Sequence, residues 1–339
     1  MGKRGGLSRP VLISLQILLA AALALAVTLG GYWYFGPYEG FSTETFVEIQ
    51  HGTSTRKIAR QLAHQGVVRS EWAFLAVRLL HPRAPLQAGE YRFGSAETPW
   101  RVFNKIRRGE VFYEDFTVPE GSNLFDIAAL LERTDLVRPA AFLKAAADTS
   151  GIHDLDPSAP DLEGYLFPST YRLTHRTTAK QLCLMMTAEF RKQFASFSPS
   201  PQTNVHEIVT LASMVEKESA IAQERPVIAS VFLNRLKLNM PLQCDPTTVY
   251  AALLENRYRG VIHKSDLASA NPYNTYTHAG LPPGPIANPG SGALQAVLRP
   301  ADTNYVYFVA KPDGSGSHVF SATLTEHEKA VLAYRNGAH

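Results

Sequence analysis

FVEIQHGTSTRKIARQLAHQGVV (residues 46–68) and DFTVPEGSNLFDIAALLERTDLV (residues 115–137) are two copies of one pattern. In register, Gly52 matches Gly121, Ile58 matches Ile127, Ala59 matches Ala128 and Leu62 matches Leu131. Each copy opens on alternating apolar and polar residues, the period of a half-buried strand. A glycine turn follows, then apolar residues at helical spacing. Thr53 or Ser54, and Ser122 or Asn123, have side chains suited to capping that helix. A second helix begins near Ser70 in one copy and near Pro139 in the other. Between the copies, residues 88–93 read as a further strand and residues 99–109 as a short helix ending at Gly109. Strands and helices mixed in this order give an α+β fold.

Working towards the N-terminus, residues 11–31 form an uncharged Leu/Ala/Val-rich run about as long as a bilayer is thick. Lys3, Arg4 and Arg9 precede it, and no basic residue follows until Arg56. The asymmetry keeps the N-terminus in the cytoplasm and sends the rest across. Tyr32, Trp33, Tyr34 and Phe35 supply an aromatic belt at the far interface. A cleaved signal peptide is the competing reading, with small-residue sites around Ala22, Ala24 and Ala26, but the run is long for one. The expectation is a single-pass anchor (residues 1–36), a short linker at residues 37–43, and some three hundred residues outside the cytoplasm.

Composition excludes several classes. Charged residues are 19% and the net charge is +3, too balanced for a nucleic-acid binder. No Cys/His cluster has zinc spacing, and there is no phosphate loop or Gly-x-Ser-x-Gly elbow. Cys183 and Cys244 read either as a disulfide or as two free thiols. Towards the C-terminus, residues 179–196 and 227–238 read as helices, with Pro226 in the first turn of the second. The final third is dense in Pro, Gly and Asn. QCDPTTVY and NPYNTYTHAGLPPGPIANPG read as turn-rich loops lining a groove, and residues 304–311 with 317–321 as a hairpin.

LASMVEKESA (residues 211–220) carries the chemistry. At about 100° per residue from Leu211, Val215 falls near 40°, Met214 near −60° and Glu218 near −20°. Glu216, near 140°, and Lys217, near 240°, turn to the polar side. Glu218 is thus a carboxyl on an apolar helical face, with a raised pKa expected. Asn204, with Glu207 three residues on, opens this helix with an approximate capping box. Two roles stay open for Glu218 on these grounds: a structural partner of Arg225 or Arg235, or a general acid.

EGYLFPSTY, LASMVEKES, FLNRL, LQCDPT, YNTY, GLPPGPIANPG and HVFS occur in one order along the chain. As a set they resemble the MltG (YceG-like) family of membrane-anchored endolytic murein transglycosylases. The first copy of the repeat is similar to a LysM module. The resemblance implies a LysM-like α/β subdomain at residues 44–114 and a larger mixed α+β catalytic domain at residues 115–339. It makes Glu218 the catalytic acid and base. Asn234, Gln243, Asp245, Tyr273, Asn274, Thr275, Tyr276 and Glu163 become groove or supporting residues. Cys244 departs from the small hydroxyl residue expected there, and Ser169 from an Asp. The implied substrate is the peptidoglycan glycan strand, cut at the MurNAc–GlcNAc bond without water and without metal or organic cofactor. Penicillin-binding proteins are the implied partners, and the periplasmic face of the inner membrane the implied location. A hydrolytic muramidase pairing Glu218 with Asp245, and a non-catalytic wall-binding scaffold built on the repeat, are the competing functions.

Overall fold

A computed structural model describes residues 9–219 and 221–337, with side chains of the first helix described from residue 13. Lys3 and Arg4, on which the orientation reading depends, lie outside the described residues. Helix α1 (Arg9–Phe35) contains the apolar run. Within Ile13–Phe35 an 18-residue window reaches a mean hydropathy of 2.2, and none of that window is buried by protein.

The chain divides between Glu114 and Asp115 into two compact units, the first of which includes α1. The first holds β1 (Thr45–Ile49), α2 (Thr55–His64), α3 (Glu71–Leu80), β2 (Gly89–Phe93) and α4 (Pro99–Arg108). β1 and β2 pair antiparallel, from Thr45 opposite Phe93 to Ile49 opposite Gly89. Val47, Ile58, Leu62, Phe74, Tyr91 and Phe103 meet in one core. Gly109 closes α4 in the left-handed conformation at φ 67°, as the sequence leads one to expect. Residues 37–43 are not a free linker. Tyr38 and Glu97 exchange backbone hydrogen bonds, and the Gly40 amide donates to Gly66.

The second unit runs β3 (Glu114–Thr117), α5 (Leu124–Leu131), α6 (Pro139–Ala146), β4 (Thr170–Leu173), α7 (Ala179–Ser196), α8 (Val205–Glu218), α9 (Arg225–Lys237) and α10 (Asp245–Leu254). It continues through α11 (Lys264–Leu267), α12 (Ser291–Leu298), β5 (Tyr307–Ala310), β6 (His318–Ser321) and α13 (Leu324–Gly337). β3 pairs with β4, so the second copy of the repeat closes as the first does: strand, helix, helix, returning strand. Gly52 and Gly121 both take positive φ, 77° and 74°, and Ser54 and Asn123 are the caps. What distinguishes the second copy is the segment between α6 and β4, which carries EGYLFP.

α8, α9 and α12 pack against one another at the centre, and α10 adds to α8. Residues 209–215 of α8 are buried without a break. A helix surrounded in this way has no polar side through its middle, which overrides the helical-wheel reading. DPTTVY, read as turn, is the start of α10, with Pro246 in its first turn where no amide is missed. Residues 280–290, read as groove lining, are mostly buried and form a strap through the core. Their glycines and prolines suit such a path, because a buried loop must satisfy every amide and proline has none to satisfy. The hairpin β5–β6 forms as expected, with Tyr307 opposite Ser321 and Ala310 opposite His318. α13 packs on it.

Candidate active site

Glu218 is the last residue of α8, not the middle of its apolar face. Ser219 leaves the helix in extended conformation, φ −134° and ψ 122°. The Ser219 hydroxyl closes a local turn, accepting from the Ile221 amide at 3.1 Å. Half of the capping box at the other end of α8 forms: Asn204 Oδ1 accepts from the Glu207 amide at 3.3 Å.

A helix C-terminus carries the negative end of the helix dipole, which disfavours a carboxylate and favours a proton on it. Burial pushes the Glu218 carboxyl above its ordinary range, and the charge of Asp245 adds to the shift. A hydrogen bond with the Cys244 thiol and the positive potential of His318 and Arg235 act against it. The residue as a whole is half-buried. Among the described residues no cation lies within ion-pairing distance of Glu218. Arg225 instead pairs with Glu216 at 2.8 Å, and Glu216 also accepts from the Gly290 amide at 2.9 Å, where α12 begins. Glu216 is therefore enclosed, not solvated as its wheel position suggests. Burial dominates its environment and raises its pKa. Arg235 is committed to the carbonyls of Val306 (2.6 Å) and Leu242 (2.9 Å). The structural-partner reading of Glu218 thus loses both of its arginines.

Cys244 brings the second wall of the site. It is buried, sits at the N-cap of α10, and donates its amide to Thr275 Oγ1 at 3.0 Å. Both cysteines are free thiols, and burial holds each thiol's pKa high. Asp245, next in sequence, is exposed and accepts from the Tyr276 hydroxyl at 2.6 Å. Gln243 is exposed and held at φ 49°, its amide donating to the Thr275 carbonyl at 3.2 Å. The short run 243–245 and the 275–276 loop thus form one bonded edge beside Glu218.

The remaining expected residues act from behind this edge. Asn274 is fully buried and donates to the carbonyls of Leu267 and Ser269 at 3.1 and 2.8 Å. It also accepts from the Thr248 hydroxyl at 3.2 Å. Thr275 is buried and shares a 2.9 Å hydrogen bond with Thr247. Asn234 donates to the Thr303 and Tyr305 carbonyls at 2.8 and 3.0 Å, fixing the approach to β5. Tyr273 packs its ring 5.1 Å from that of Tyr250.

Glu163 is a buried junction. It accepts from the Leu124 amide (2.9 Å), the Tyr250 hydroxyl (3.0 Å) and the Asn288 side chain (2.9 Å). Burial pushes its pKa up to about 8. Asn288, in the buried strap, also accepts from the Leu166 amide and donates to Ser122. One polar knot therefore ties EGYLFP, the second copy of the repeat and the strap together. Sequence reading overlooked Asn288, although a lone Asn in an apolar, proline-rich run was its signal.

A cleft of about 480 Å³, lined among others by Asn123, Asp126, Lys217, Asp245, Tyr250 and Tyr258, includes the sequence neighbours of Glu218 and Cys244 but not Glu218 itself. Polar groups with two tyrosines suit a sugar, whose faces are apolar and whose edges are hydroxyls. Lys217 is fixed there by donating to the Gly121 carbonyl at 3.2 Å.

The YceG-like family profile matches residues 47–333. The chain is 34% identical to the endolytic murein transglycosylase of Bacillus subtilis (strain 168) over 331 residues, 90% of this chain and 91% of that one. It is 28% identical to the endolytic murein transglycosylase of Streptococcus pneumoniae (strain D39), covering 86% of this chain and 58% of the relative. A crystal structure of a yceG-like protein from Listeria monocytogenes superposes with a TM-score of 0.54 at 32% identity, covering 85% of this chain and 99% of that one.

Proposed function

Because this chain belongs to the YceG-like family, we propose that it is a lytic transglycosylase of peptidoglycan in which Glu218 serves first as acid and then as base. The observation that carries the reading is Glu218 itself: a carboxyl at a helix C-terminus, raised in pKa and free of any ion pair among the described residues, next in sequence to Lys217, which lines an open cleft.

The Glu218 proton passes to the glycosidic oxygen as that bond breaks and positive charge develops on the MurNAc ring. The leaving GlcNAc keeps the proton as its 4-hydroxyl. The carboxylate left behind takes the proton of the MurNAc 6-hydroxyl, whose oxygen closes on the anomeric carbon. Glu218 ends protonated and the product is a 1,6-anhydro end. One carboxyl suffices because the nucleophile is part of the substrate, whereas ordinary glycosidases need two. Orienting that hydroxyl replaces an activated water and can supply on the order of 7–11 kcal/mol in favourable cases.

Asp245, Tyr276 and Gln243 are assigned to the substrate edge. Asn234, Tyr273, Asn274, Thr275 and Glu163 are assigned to holding that edge in place. α1 anchors the chain in the inner membrane, with the units past it in the periplasm. There the enzyme cuts nascent glycan internally and limits strand length, beside the penicillin-binding proteins that extend it. The LysM-like first unit would hold the strand during the cut.

Digestion of purified peptidoglycan in H2(18)O tests the reaction. Anhydro-MurNAc ends without incorporated (18)O are expected. Reducing ends carrying (18)O would replace this reading with the hydrolytic muramidase, with Asp245 as second carboxylate.

A further inference from the structure

We propose that α3 is an interfacial helix whose outward face lies in the headgroup region of an anionic phospholipid bilayer, the one that α1 crosses. The proposal rests on the membrane-anchor reading above.

α3 reads EWAFLAVRLL and is apolar almost all round. Ala73, Phe74 and Val77 face the core of the first unit. On the other side Trp72, Leu79 and Leu80 are 60%, 79% and 77% exposed, at the i, i+7, i+8 spacing of a single helical stripe. Its two charges are drawn away. Glu71 pairs with Arg60 at 3.4 Å, and Arg78 folds onto the carbonyls of His81 and Ala84 at 2.6 and 2.7 Å. Water is a poor solvent for such a face, and ten residues are too few to span a bilayer. A helix of this kind suits the plane of the interface.

Its position selects the occupant. Ser70, the cap of α3, shares a 2.7 Å hydrogen bond with Tyr34 at the end of α1. The guanidinium of the adjacent Arg69 lies 4.2 Å from the Trp33 ring centroid and 4.5 Å from that of Tyr38. Tyr38 is in turn bonded to Glu97. The start of α3 is therefore pinned at the aromatic end of the spanning helix, the level at which Trp and Tyr meet headgroups. Trp100 of α4 is 45% exposed and extends the apolar face through His81, 4.8 Å away ring to ring. Charge agrees: residues 44–114 hold eleven Lys/Arg against seven Asp/Glu, whereas residues 115–339 hold nineteen against twenty-two. The basic unit is the one joined to the anchor, as an anionic surface favours.

The chain has three tryptophans, Trp33, Trp72 and Trp100. Full-length protein is reconstituted into phosphatidylcholine/phosphatidylglycerol vesicles, with or without acyl-chain bromination. The Trp72→Phe/Trp100→Phe variant reports Trp33, and the Trp33→Phe/Trp100→Phe variant reports Trp72. Circular dichroism matching wild type confirms the fold of each. The expected result is loss of emission to brominated lipid in both variants, with the Trp72 loss diminished in phosphatidylcholine alone. Quenching of Trp33 with Trp72 as bright as in unbrominated vesicles would overturn the proposal, leave the anchor standing, and assign the face to glycan or protein. Quenching of neither would remove the anchor reading and the proposal together. Trp72 quenching that is unchanged without phosphatidylglycerol would overturn the anionic requirement.

Discussion

Glu218 ends its helix, and that single backbone fact changes what its carboxyl does. Inside a helix it would meet neutral surroundings. At the C-terminus it meets unpaired carbonyls, which favour the protonated form needed by a general acid. The Cys244 thiol opposes this by hydrogen bonding to the charged form. Removing that donor therefore raises the Glu218 pKa further. Cys244→Ala is expected to move the basic limb of the kcat/KM–pH profile upwards, and Cys244→Ser, which restores a donor, to move it less. An unmoved limb in both would separate Cys244 from the acid. Glu163 gives a second pH effect, on stability. Its folded pKa of about 8 lies above the ordinary 4.5, so the folded state holds the extra proton between those values. Its contribution is complete below 4.5 and is lost as pH rises towards about 8, with a slope approaching about 1.4 kcal/mol per unit. Denaturant unfolding between pH 5 and 9 should show that slope. Glu163→Gln should flatten it, at a cost of about 1–3 kcal/mol for a mismatched buried donor. That Glu218 turns towards buried surroundings was legible from spacing, but its place at the end of α8 and its freedom from Arg225 and Arg235 were not. Arg225 turns back across the α8–α9 connection to Glu216 and Arg235 reaches the carbonyl of Val306, far along the chain, and no helical period announces either pairing.

At the scale of elements, the repeat was readable because its signals are local: alternation, a glycine with positive φ, a cap, and a 3.6-residue period. Gly52 and Gly121 are needed where they stand because their left-handed φ is costly for a side chain. α12 and α10 escaped the reading for opposite reasons. α12, SGALQAVL, is short and buried between α8 and α9, so it lacks a polar face to give period. α10 opens on Asp-Pro, which reads as turn yet is also a good first turn of a helix. The two kinds of glycine predict different costs. A Cβ at Gly52 meets nothing within 4 Å, so Gly52→Ala should cost only the φ strain, about 1 kcal/mol. At Gly164, φ 86°, it would stand 2.5 Å from Pro285 and 2.7 Å from Val209. Gly164→Ala adds overpacking to strain and should cost roughly 2–5 kcal/mol. Equal unfolding midpoints for the two variants would contradict this account of the buried strap.

For the whole molecule, the sequence pattern carried the α+β class and the apolar N-terminal helix, because composition and period are enough for both. It did not carry the interior, where residues 280–290 run through the core with Asn288 donating to the Ser122 carbonyl and the Ile286 amide donating to the Ser213 hydroxyl. An anchored chain is expected to stay in the membrane fraction after an alkaline carbonate wash and to leave only with detergent. Release by carbonate alone would favour a cleaved leader. The central claim is that one carboxyl performs both proton transfers. Glu218→Gln removes the proton without changing the shape of the side chain, and general acid–base groups contribute about 10²–10⁴ in rate. The most direct measurement is the rate of anhydro-MurNAc formation by mass spectrometry for wild type, Glu218→Gln and Asp245→Asn, each shown to be folded. A loss in Glu218→Gln of about 10²-fold or more, with Asp245→Asn still producing anhydro ends, is the predicted result. Anhydro ends forming at the wild-type rate in Glu218→Gln would contradict it.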